Sequence, residues 1–73
     1  MKVTAYIERD VESGMYVATV PSIPGAHTQS ETLDGLQKNL HEVLSLCMEE
    51  MNKEEIGDLP EFVGIQQMEI VLD

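Results

Sequence analysis

Apolar and polar residues alternate from the start of the chain: in an extended backbone Val3, Ala5 and Ile7 fall on one side and Thr4, Tyr6 and Glu8 on the other. Residues 2–9 are therefore expected to form a strand. Asp10-Val11-Glu12-Ser13-Gly14 supplies turn chemistry, and alternation resumes over residues 15–20, with Tyr16, Ala18 and Val20 set against Met15, Val17 and Thr19. The two strands predict an antiparallel hairpin. Pro21-Ser22-Ile23-Pro24-Gly25 interrupts the ladder, because proline has no amide to donate, and Pro24-Gly25 suits a type II turn. Residues 26–29 then make a short third strand, antiparallel to the second.

From Leu33 the period changes. Leu33, Leu36, Leu40, Val43, Leu44, Cys47, Met48 and Met51 recur at spacings of three and four, which predicts one apolar stripe on a helix about five turns long. Thr32 is the expected N-cap, Asp34 sits favourably near the positive end of the helix dipole, and Gly35 costs about 1 kcal/mol against alanine. Glu49, Glu50, Glu54 and Glu55 crowd the far end, where the dipole favours cations, and only Lys53 offsets them. Gly57-Asp58-Leu59-Pro60 stops the helix. Residues 64–72 alternate again, with Met68, Ile70 and Leu72 opposite Gln67, Glu69 and Val71, and predict a last strand. The expected fold is α+β: a single β-β-β-α-β domain over residues 1–73, an antiparallel sheet with the helix packed on one face and the other face bare.

Size and charge add constraints that the pattern does not. The chain has 73 residues, 4 basic and 14 acidic, for a formal charge of −10. An apolar content of 42% is too high for a disordered acidic segment. A domain this small buries only about 60% of the surface its unfolded chain exposes, so its core needs a supplement. One cysteine, Cys47, excludes an internal disulfide, and one cysteine with two histidines makes no metal cluster. Oligomerisation remains, and a homodimer or higher homo-oligomer is expected, with Tyr6, Tyr16 and Val17 as candidate interface residues.

Lys2, Arg9, Lys38 and Lys53 are scattered, so direct nucleic-acid binding and attraction to an anionic membrane are not expected. No apolar run approaches a signal peptide or a membrane span, and a cytoplasmic protein is expected. The acidity either serves solubility alone or steers a basic protein partner.

Catalytic chemistry finds little footing. His27 and His41 are the two histidines, and no serine stands in a glycine-bounded elbow that would make it a nucleophile. Cys47 lies within the helical apolar stripe and reads as a core residue. Met48, Met51 and Met68 fit either a core or an adaptable protein interface. No enzyme activity, cofactor or metal is expected.

Residues 16–33 (Tyr-Val-Ala-Thr-Val-Pro-Ser-Ile-Pro-Gly-Ala-His-Thr-Gln-Ser-Glu-Thr-Leu) resemble the HicB-like antitoxin family. That signature joins a Tyr-Val-Ala strand, a Pro-x-x-Pro-Gly turn, a Thr-Gln strand and a Thr-Leu helix start, and Asn39, Glu42, Val43 and Leu44 fit the family's helix. Ser30-Glu31 stands where the family commonly has Gly-Asp, and Asp34-Gly35 where it has Glu-Ala. Many relatives continue into a DNA-binding segment. This sequence reads as the short form without one, so autorepression at an operator is not expected.

The resemblance implies an antitoxin that neutralises a small basic RNA-cleaving toxin (HicA-like) by covering its active site, with Glu49, Glu50, Glu54 and Glu55 as candidate partner-binding residues. The alternative is an orphan oligomeric domain that binds another protein or a small ligand and has no toxin partner. The family's fold has been likened to a degraded ribonuclease H core, but Glu8 and Glu69 are the only acids expected at strand centres, too few for metal-dependent nuclease chemistry.

Overall fold

The computed structural model describes residues 1–72. Three strands, β1 (Tyr6–Arg9), β2 (Tyr16–Thr19) and β3 (His27–Ser30), are followed by helices α1 (Leu33–Glu50) and α2 (Lys53–Gly57). The sheet runs in the order β1-β2-β3 with both pairings antiparallel. The architecture is α+β, as expected, with α1 lying over β3 and part of β2.

Local chemistry explains both links in the sheet. In the hairpin turn the Asp10 carboxylate accepts from the Ser13 amide at 2.9 Å and the Ser13 hydroxyl at 2.7 Å, while the Gly14 amide donates to the Asp10 carbonyl at 2.8 Å. Between β2 and β3 two turns follow each other. The Ile23 amide donates to Val20 O, closing a turn around Pro21-Ser22, and the Ala26 amide donates to Ile23 O around Pro24-Gly25. Gly25 takes φ 80°, the left-handed value that the third position of a type II turn requires and that L side chains avoid. A bond of 2.8 Å from Val20 N to Ala26 O ties the base. The double turn thereby folds Val20, Ile23 and Ala26 into one buried cluster.

Register assigns the faces, because residues directly opposite in an antiparallel pair project to the same side. Ile7 opposes Ala18, which opposes Thr28, so this row, with Tyr16 and Val20, faces α1. Tyr6, Glu8, Val17, Thr19, His27 and Gln29 form the uncovered face. The helical stripe behaves as its spacing predicts: Leu36 is buried, and Leu40, Val43, Leu44, Cys47, Met48 and Met51 pack on the Val20-Ile23-Ala26 cluster. Leu33 departs from it and stays 53% exposed, one residue after the cap and ahead of the turn that meets the sheet.

Thr32 caps α1, its hydroxyl accepting from the Gly35 amide at 3.0 Å. Gly35 is more than a weak helix former. A Cβ there would lie 2.5 Å from Ser30 Oγ and 3.0 Å from Thr32 Oγ1, so its missing side chain lets the helix begin directly against the end of β3.

Two expectations about the C-terminal part need correction. The helix does not continue through the acidic run: Met51 turns to extended backbone (φ −96°, ψ 137°), and α2 restarts with Asn52 as its N-cap. The last strand does not form within the chain either. Residues 60–72 carry no strand ladder and every one of them is exposed. Alternation states which side chains share a face, but a ladder also needs a neighbouring backbone in hydrogen-bonding reach, and among the described residues no strand pairs with that segment. Residues 2–5 stay outside β1 for the same reason.

Candidate functional site

The acidic residues singled out by sequence gather around the junction of the two helices. Glu49 and Glu50 close α1, Glu54 and Glu55 lie in the first turn of α2, and all four are exposed. Their electrostatics differ from what one long helix would impose. Asn52 Oδ1 accepts from the Glu55 amide at 2.8 Å, and Glu55 Oε1 accepts from the Asn52 amide at 3.4 Å, a reciprocal capping box. At the N-terminus of α2 the dipole favours Glu54 and Glu55. Only Glu49 and Glu50 remain where a helix dipole disfavours acid. The Asn52-x-x-Glu55 spacing was a readable signal of this restart, hidden within a run whose apolar period continues to Met51.

The three candidate interface residues are not brought together. Tyr6 and Val17 share the uncovered sheet face and line one shallow groove with Glu8 and Thr19, whereas Tyr16 projects from the opposite face beside Arg9 and Ser30. Neither histidine joins a reactive group of neighbours. His27 is exposed at the start of β3, and His41 is exposed on the solvent side of α1 among Asp34, Gln37, Lys38 and Glu42. The Cys47 thiol packs on the core and donates a long hydrogen bond, 3.8 Å, to Pro24 O.

Among the described residues no group of three or more His, Cys, Asp or Glu is placed to hold a metal ion. Among them, too, no helix is long and apolar enough to cross a membrane. The surroundings hold the Asp10 carboxyl below its ordinary value of 3.8 through the hydrogen bonds from the Ser13 hydroxyl and amide.

Residues 16–33, which carry the resemblance, form one continuous unit: β2, the double proline turn, β3 and the capped start of α1. Asn39 braces it by donating from Nδ2 to Gln29 O at 3.4 Å.

No family model matches the chain. No solved structure matches it either. Over 62 residues the chain is 44% identical to a UPF0150 protein of Synechocystis sp., covering 85% of this chain and 84% of that protein. It is 43% identical over 70 residues to a UPF0150 protein of Archaeoglobus fulgidus, covering 96% of each. A UPF0150 protein of Thermotoga maritima is 43% identical over 67 residues, covering 92% of this chain and 87% of its own length. With identity of this degree running through most of each sequence, the chain belongs to the UPF0150 family.

Proposed function

We propose that this member of the UPF0150 family acts as a HicB-like antitoxin module, a stoichiometric inhibitor that covers the active site of a small basic RNA-cleaving toxin. The observation that carries the reading is the charge of −10 on an 8.2 kDa chain, with exposed carboxylates on both sides of the α1–α2 junction. A toxin that holds RNA phosphates offers a basic groove, and an acidic surface competes for it and speeds encounter at low salt. The resemblance over residues 16–33 supplies the family context for that electrostatic argument.

The capping box sharpens the choice of contact residues. Glu54 and Glu55 have a local reason to be where they are, but Glu49 and Glu50 do not, so Glu49 and Glu50 are the stronger candidates for toxin contact. Glutamine keeps the shape and the capping hydrogen bond of glutamate while removing its charge. Titration of this protein into a HicA-like ribonuclease should show loss of RNA cleavage at equimolar ratio. The Glu49→Gln/Glu50→Gln variant should bind about 10-fold more weakly with a shallower salt dependence, and Glu54→Gln/Glu55→Gln should bind less weakly than that. Undiminished cleavage with the protein in excess would sink the proposal.

A further inference from the structure

Two strand patterns are left unpaired in the single chain, and they meet at one edge of the sheet. Residues 2–5 run into β1, and the C-terminal segment leaves the domain beside them: Lys2, Val3 and Tyr6 share a groove of about 460 Å³ with Phe62, Val63 and Gly64. Beyond that groove the segment exposes its apolar side chains, Met68 at 75%, Ile70 at 76% and Val71 at 90%.

The surface area sets the scale of what is missing. The molecule exposes 6436 Å², whereas a compact monomer of 8.2 kDa exposes about 4,500 Å². Its radius of gyration is 14.5 Å against about 11 Å for a compact domain of this length. The excess, about 1,900 Å², is what one protomer contributes to an intertwined obligate dimer.

Of the two edges of the sheet, that of β1 is the less obstructed. β3 lies beneath α1, and the Asn39 amide already occupies the Gln29 carbonyl. Among the described residues, no turn, loop or side-chain hydrogen bond reaches the backbone of Tyr6–Arg9 from outside the sheet. On the α1 side of this edge Ile7 remains 54% exposed, because the helix covers β3 and β2 but stops short of β1.

We propose that residues 64–72 of one copy add as a fourth strand to the outer edge of β1 in a second copy, reciprocally. The apolar row Met68, Ile70 and Leu72 then extends the face that carries Ile7, while Gln67 and Glu69 fall on the uncovered face. A nine-residue strand reaches about 30 Å, more than the length of β1, so it also pairs with residues 2–5 and completes the strand that the N-terminal alternation describes. The inference concerns self-association and stands apart from toxin binding.

Sedimentation of the intact chain at micromolar concentration tests it. The wild type should run as a dimer. Met68→Ser with Ile70→Ser should weaken the dimer about 100-fold or more, with an unchanged helical circular dichroism spectrum, since both side chains are exposed in the single chain. Crosslinking locates the contact. In a Cys47→Ala background, chains carrying Ile7→Cys should form a disulfide on mixing with chains carrying Met68→Cys, Ile70→Cys or Leu72→Cys. A monomeric wild type, a dimer indifferent to the serine variant, or crosslinks only between arms would each overturn the proposal.

Discussion

The double turn and the C-terminal arm are built from similar apolar material and meet opposite fates. Val20, Ile23 and Ala26 are buried within seven residues of chain, whereas Val63, Ile65, Met68 and Ile70 are exposed. The turn closes on itself because Pro21, Pro24 and Gly25 fix its backbone and because α1, capped by Thr32, is delivered onto it. The arm has no such local device. Burial here follows short-range closure, and apolar pattern without closure remains surface until another chain arrives.

Side-chain truncation in the turn and in the arm should have very unequal effects. Ile23→Ala should cost about 2–5 kcal/mol, from lost burial and the cavity left behind, whereas Val71→Ala in dilute monomer should change stability by less than about 0.5 kcal/mol. Urea unfolding measures both, and comparable losses would erase the distinction. Next in size, Gly35→Ala should destabilise by about 1–3 kcal/mol although alanine is the better helix former, because its Cβ meets Ser30 Oγ. Adding Ser30→Ala should recover part of that loss, and a Gly35→Ala protein as stable as wild type would show that the close approach is dispensable.

At the junction between the compact part and the arm, Asn52→Ala should cost about 1 kcal/mol or less, read as lost protection of α2 amides in hydrogen exchange, while Glu55→Gln should leave them protected. The smallest effect belongs to Asp10. Its carboxyl titrates below 3.8 in the folded chain, so its contribution is fully present above that value and is lost as pH falls through the lowered folded value. Carboxyl NMR should place Asp10 below its ordinary value, and Ser13→Ala should raise it only part of the way back, because the amide at position 13 still donates to the carboxylate.

Those effects also mark what the sequence could convey. The hairpin turn, the type II turn at Pro24-Gly25, the Thr32 cap and the stripe from Leu36 to Met51 were legible, because each depends on residues a few positions apart. The reading of residues 64–72 as a strand rested on alternation alone and could not say what such a strand would lie against, since partners in a sheet are distant in sequence or in another molecule. Gly35 read as a defect because propensity is local, while Ser30 Oγ reaches it only once β3 and α1 have met. Of the candidate site, the charge of Glu49, Glu50, Glu54 and Glu55 was visible. Their division between two helices was not, because the Asn52-Glu55 box is brief beside the longer period around it. For Tyr6, Tyr16 and Val17 the alternation gave the correct faces only after register had been fixed.

The open arm also bears on how the protein meets a protease. Proteases bind their substrates as extended, unpaired chain, and residues 60–72 offer such a stretch without any unfolding of the double turn or α1. In the proposed dimer the same peptide bonds would lie within a ladder. Limited proteolysis should therefore cut the arm faster in dilute than in concentrated protein if the arms pair as proposed, because pairing removes the extended chain that the protease must bind.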